Sequence, residues 1–140
     1  MYERDPYVAR ILVIDDDASL RLLLRGVLER QGYSVVEADN GYAGLQCYGA
    51  ELPDVVITDM QMPVMDGLQL ILELRRTCPT AKIIAISGGK KTLNLAKPLT
   101  QWAFEKPLQI GQVLAAVQEL VSAPETSALG QPAMAASHDV

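Results

Sequence analysis

The stretch Asp54-Val55-Val56-Ile57-Thr58-Asp59-Met60-Gln61-Met62-Pro63-Val64-Met65-Asp66-Gly67 decides the fold. Its first part is an apolar, β-branched run with no polar alternation, the pattern of a strand buried on both faces. The run stops at Asp59. A loop containing Pro63 follows. Asp66 then stands as an N-cap ahead of Leu68, Leu70, Ile71, Leu72 and Leu74, and Pro79 lies beyond the end of that helical pattern. One strand therefore passes to one helix through a loop that begins with a carboxylate.

The same unit recurs on both sides. Upstream, Ile11-Leu12-Val13-Ile14 is continuous and ends in Asp15-Asp16-Asp17. Residues 17–30 then place Leu20, Leu23, Leu24, Val27 and Leu28 at helical spacing, with Gly32 as a stop. A weaker, amphipathic run spans Tyr33 to Glu37, and a short helix is expected over 41–49 around Leu45. Downstream, Lys82 to Ile86 ends in Ser87-Gly88-Gly89. The covering helix near Lys90 to Lys97 is expected to be short or irregular, ended by Pro98. Trp102-Ala103-Phe104-Glu105 ends in Lys106-Pro107, and 108–121 form a last amphipathic helix through Val113, Leu114, Val117, Leu120 and Val121. Strand alternating with helix in this way implies an α/β protein with a parallel sheet covered on both faces. In such sheets ligands sit outside the carboxyl ends of the strands. Those ends carry Asp15 and Asp16, Asp59, Ser87 and Lys106.

The chain's 140 residues suit one domain. We expect an N-terminal extension over 1–8, the folded domain over 9–121, and a disordered tail over 122–140, where Ala, Ser, Pro, Gly and Thr dominate. Aromatics supply only 5% of residues, so the core must come from Val, Ile, Leu and Ala. A net charge of -5 argues against direct nucleic-acid binding. No apolar run approaches the roughly 20 residues of a membrane span, and Met1 to Arg10 does not look like a signal peptide. Cys47 and Cys78 match no metal or redox spacing. Two reduced thiols in a cytoplasmic protein are the expectation.

Three carboxylates held close together repel unless a cation sits among them. Asp15, Asp16 and Asp59 thus make a hard-oxygen site suited to Mg2+. A carboxylate can also attack phosphorus to form an aspartyl phosphate, with the metal neutralising the transferring group. Lys106 supplies a point charge for one phosphoryl oxygen, and Ser87 a hydrogen bond for another. Each residue has an ordinary reading alone: a cap, a turn, a surface lysine. Their arrival together at one sheet edge is what those ordinary readings leave unexplained.

Residues 9–121 resemble the response-regulator receiver domains of two-component signalling. The strongest likeness is Asp59-Met60-Gln61-Met62-Pro63-Val64-Met65-Asp66-Gly67, which reproduces the family's phosphoacceptor signature. Ile11 to Asp17 resembles its opening strand and acidic pair. Ser87-Gly88 resembles its hydroxyl-and-small pair, and Lys106-Pro107 its Lys-Pro pair, whose peptide is usually cis. The resemblance implies a flavodoxin-like (βα)5 doubly wound sheet of five parallel strands in order 2-1-3-4-5. It implies Asp59 as phosphoacceptor, and Asp16 as a direct Mg2+ ligand with Asp15 through water. The backbone carbonyl of Gln61 would be a further ligand, Lys106 a bridge to the phosphoryl group, and Ser87 its follower. It implies phosphoryl transfer from a histidine kinase or histidine phosphotransfer protein, and a switch rather than an enzyme with steady turnover. Since little follows Val121, output is expected through an unknown protein target.

Two departures stand out. Where the family often carries Phe or Tyr, three residues before the lysine, this chain has Ala103, with Trp102 and Phe104 directed to the opposite side. Only 18 residues separate Ser87 from Lys106. Two rivals remain at this point. Asp15-Asp16-Asp17 loosely resembles the Asp-x-Asp motif of haloacid-dehalogenase-type phosphatases, but no cap or later acidic pair accompanies it. A pure interaction module is the other rival, to which Ala103 gives some room.

Overall fold

The computed structural model describes residues 5–124. Five strands, β1 Arg10–Ile14, β2 Ser34–Ala38, β3 Val55–Asp59, β4 Ile83–Ser87 and β5 Trp102–Glu105, alternate with five helices, α1 Ala18–Arg30, α2 Gly41–Glu51, α3 Gly67–Thr77, α4 Lys90–Ala96 and α5 Ile110–Ser122. All strand pairs are parallel, and the order is β2-β1-β3-β4-β5. The expected flavodoxin-like sheet is therefore the observed one.

Strand alternation divides the core into two layers. Ile11, Val13, Val55, Ile57, Ile84 and Ile86 face α1 and α5, meeting Leu24, Leu28, Val113, Val117 and Leu120. Leu12, Ile14, Val56, Ile83 and Ala85 face the other way, meeting Leu70, Ile71 and Leu74 of α3 and Ala96 of α4. Both faces of the middle strands are buried, which is why those runs carry no polar alternation.

Local signals set most of the ends. Asp17 caps α1 by accepting from the Ser19 and Leu20 amides. Asp66 caps α3 in a reciprocal capping box with Gln69. After α1 the chain turns through Gly32 at φ 93°, a left-handed conformation that glycine adopts without steric cost. The fourth helix is short, as expected, and gives way to a 3-10 turn at Lys97–Leu99 with Pro98 near its start. Several ends move from their expected places: β2 by one residue, while α2 continues through Gly49 to Glu51 and ends at Leu52 in the left-handed region. The helix expected from Leu108 starts at Ile110. It reaches Ser122, one residue into the stretch expected to be tail. Residues 1–4 of the expected extension and 125–140 of the expected tail lie outside the described residues. Among the described residues no helix is long and apolar enough to cross a membrane.

Candidate phosphoryl and metal site

Register brings the strand ends into line. Ile14 pairs with Thr58, Asp59 with Ile86, and Ser87 with Glu105. The residue after β1, the last residues of β3 and β4, and the residue after β5 thus meet at the carboxyl edge. The alternation that splits the core also sorts these residues. Asp15 and Asp59 continue the α1–α5 side of their strands, as Lys106 does after Trp102 and Phe104. Ser87 continues the opposite side, toward α4.

Asp15, Asp16 and Asp59 each place a carboxylate oxygen within 4.8 Å of the others. Asp15 and Asp59 are buried and Asp16 is exposed, so the cluster has an open side. Lys106 Nζ lies 3.4 Å from Asp15 Oδ2 and 3.3 Å from Asp59 Oδ1. Backbone amides hold the two buried carboxylates: Asp17 donates to Asp15 and Met60 to Asp59, each at 2.9 Å. Burial nevertheless dominates, pushing both carboxyl groups above the usual carboxylate range, while Lys106 pulls the other way. For Lys106 burial lowers the proton affinity, but Asp15 and Asp59 together outweigh it, and the ammonium is held more tightly than usual. One lysine thus offsets the clustered acids only in part. The unbalanced negative charge, small separation and all-oxygen donor set fit a small hard divalent cation.

The loop after β3 is tightly built. Gly67 donates to the Met60 carbonyl, and a Cβ on Gly67 would lie 2.3 Å from the Asp59 carbonyl oxygen. Gly41 approaches as closely to the Met65 carbonyl oxygen, to which its amide also donates. The glycine in the signature therefore lets α3 begin directly against the Asp59 backbone. Val64, between them, takes φ 72° and is exposed. Across the edge, the Lys106 amide donates to the Ser87 carbonyl at 2.8 Å, and the Lys106-Pro107 peptide is cis. The Gln61 side chain lies beside Gly89, its Nε2 being 3.9 Å from where a Gly89 Cβ would be.

Ser87 is fully buried, and its hydroxyl is engaged with Gly89 and Thr92 of the following segment. The sequence singled out Ser87 but not Thr92, whose partner is fixed only once α4 folds back. Arg21 was also missed. Its Nη1 donates to the Asp15 carbonyl at 2.6 Å and its Nε to Glu37 at 2.9 Å, so α1 and β2 hold the acidic turn from behind. A helical Arg placed six residues after Asp15 was its only sequence signal. Ala103 points into the layer beneath α4, and Trp102 stacks on Phe104 on the α5 side.

An α/β sheet with acidic groups and one lysine converging at its carboxyl edge defines a cation- and phosphoryl-binding class. The comparisons with known proteins narrow that class. Residues 11–118 match the response regulator receiver domain, and the chain belongs to that family. It is 32% identical to the chemotaxis protein CheY of Thermotoga maritima, over 79% of this chain and 96% of that one. It is 30% identical to sporulation initiation phosphotransferase F of Bacillus subtilis, over 79% and 91% of the two chains. The response regulator TrrA of Thermotoga maritima, solved with Mg2+ and BeF, superposes with TM-score 0.76 at 30% identity, covering 81% of this chain and 99% of that one. The chain is thus a phosphoacceptor receiver of two-component signalling. Receiver domains are signalling switches that work with histidine kinases or phosphotransfer proteins and with downstream targets, and Mg2+ is a general requirement of the family.

Proposed function

We propose that Asp59 is the phosphoacceptor, and that Asp15, Asp16, Asp59 and the backbone carbonyl of Gln61 hold the Mg2+. A carboxylate oxygen of Asp59 attacks the phosphorus of a phosphohistidine on a histidine kinase or histidine phosphotransfer protein. The P–N bond breaks with its electron pair passing to the ring nitrogen, and the imidazole leaves neutral because its other ring nitrogen already carries a proton. Lys106 moves from the carboxylates to a phosphoryl oxygen as a point charge. Ser87 donates a hydrogen bond to another oxygen. Mg2+, when bound, neutralises charge on the carboxylates and on the transferring group. Output passes by contact with another protein.

The observation that carries this reading is Lys106 bridging Asp15 and Asp59, 3.4 and 3.3 Å from their oxygens. A structural lysine needs one carboxylate; this one spans the gap where a transferred group would sit. The test is intact mass after incubation with Mg2+ and acetyl phosphate. The wild-type protein should gain one phosphoryl group and Asp59→Asn none. Undiminished labelling of Asp59→Asn would falsify the assignment. Asp59 is the buried carboxylate of the signature loop, Asp66 being half-buried, and a phosphatase would instead turn over phosphate esters steadily.

A further inference from the structure

The Ser87 hydroxyl is already occupied. It accepts from the Gly89 amide at 3.1 Å and lies 2.5 Å from Thr92 Oγ1 and 3.1 Å from the Gly89 carbonyl oxygen. Thr92 Oγ1 is itself 3.0 Å from that carbonyl. Each hydroxyl has one proton to give. With the Thr92 proton on the Gly89 carbonyl, the Ser87 proton goes to Thr92 Oγ1, the shorter of its two contacts, or to the same carbonyl, and either way it is spent within this segment. No proton is then left over for an oxygen bound at Asp59.

We propose that Thr92 is a positioning residue, a latch that holds the Ser87 hydroxyl away from the acceptor pocket. A phosphoryl group on Asp59 competes with Thr92 for the single Ser87 proton. The inference rests on the reading of Asp59 and Ser87 given above.

The latch also has a structural task. Gly89 is the N-cap of α4 and offers no side-chain hydrogen bond. The Ser87 oxygen takes the Gly89 amide in its place, and Thr92, at the third helical position, fastens that oxygen to the first turn. A helix of seven residues has little stability of its own. Drawing Ser87 toward Asp59 therefore unfastens the first turn of α4. Ala103 beside this segment is too small to carry the message as a moving ring, so the hydroxyl pair is the available coupling between the pocket and α4.

The experiment measures the affinity of beryllium fluoride, a phosphoryl analogue, in saturating Mg2+ by calorimetry. Thr92→Val keeps the shape and removes the hydroxyl. It should bind the analogue roughly two- to ten-fold more tightly, the range that one released neutral hydrogen bond converts to. Thr92→Ser should match the wild-type protein. In a Ser87→Ala background, Thr92→Val should bring no gain. General damage to α4 would weaken binding, so a gain is not produced by misfolding. Unchanged or weaker binding by folded Thr92→Val overturns the latch, as does an equal gain in the Ser87→Ala background. In the wild-type protein, amide exchange over 90–93 should quicken when the analogue binds, and unchanged exchange there also overturns it. Absence of analogue binding by the wild-type protein overturns the Asp59 reading itself, whereas binding without the Thr92→Val gain overturns the latch alone.

Discussion

Burial raises the Asp59 carboxyl above its ordinary range, and this has a sign that stability measurements can read. An acid with a raised folded pKa binds its proton more tightly in the fold than in the unfolded chain. Its ionisation therefore costs stability. The cost is absent below the unfolded pKa, near 4, grows as pH rises toward the folded value, and is complete above it. Asp59→Asn removes it while keeping the side chain's shape. Without Mg2+, that variant should be more stable than the wild-type protein at pH 7, and the difference should vanish well below pH 4. Each kcal/mol of relief should appear as roughly 3–6 °C in Tm. Thermal melts in EDTA across that pH range check this; a variant less stable at pH 7 would contradict it. The role we propose for the residue comes from its motif. Its burial was not, because it depends on α3 starting against the Asp59 backbone at Gly67.

Two arginines tie elements together, with different consequences. Arg75 of α3 donates to the carbonyls of Leu99, Pro79 and Ala81 and to the side chain of Gln101. Burial lowers its pKa to about 10, which still leaves it charged at neutral pH. It fixes the entries to β4 and β5 and the 3-10 turn after α4, with no carboxylate involved. Arg75→Met should cost about 2–3 kcal/mol in urea denaturation, because it strands buried acceptors. Little loss would show that water replaces the guanidinium there. On α1, Arg21 and Arg25 both clasp Glu37 of β2. The Arg25 hydrogen bond is the main reason Glu37 holds its proton more weakly than an ordinary glutamate. The pair's contribution is therefore present above the unfolded pKa of glutamate and lost as pH falls through the folded value. Glu37→Gln should cost about 1 kcal/mol at pH 7, since the group is part-exposed and screened. The deficit should close under acid conditions, and one that stayed constant with pH would point to packing alone. Neither clasp could be read from the chain, since each joins residues whose distance is set by tertiary packing.

For the molecule as a whole, Mg2+ at the proposed site would link the strand ends to global stability. A ligand that binds only the folded state at ten times its Kd adds ~1.4 kcal/mol. The melting temperature should rise with Mg2+ in the wild-type protein, whereas Asp16→Ala should remain folded and lose most of that rise. An equal rise in Asp16→Ala would remove Asp16 from the metal site. Trp102 gives a second global readout. Its ring stacks on Phe104 and its Nε1 donates to Glu119 at 2.9 Å, on the sheet face opposite α4. A fluorescence change on phosphorylation would show that rearrangement at α4 crosses the sheet to α5.

The sequence by itself determined the alternation of strands and helices, the buried character of the sheet, and which residues reach its carboxyl edge. Those are consequences of local pattern: apolar runs without alternation, helical spacing, Asp66 as a cap, and a polar residue where each strand stops. The strand order came from the Asp59–Gly67 motif through its family likeness, since periodicity does not say which strands are neighbours. Only the tertiary structure decided which edge residues meet. Register and period-two alternation put Asp15, Asp59 and Lys106 on one side of the sheet and turn Ser87 to the other, where Thr92 takes its hydroxyl. A strand end shows in sequence that a residue will be at the edge; the side it faces, and the partner it finds there, depend on neighbouring strands far away along the chain.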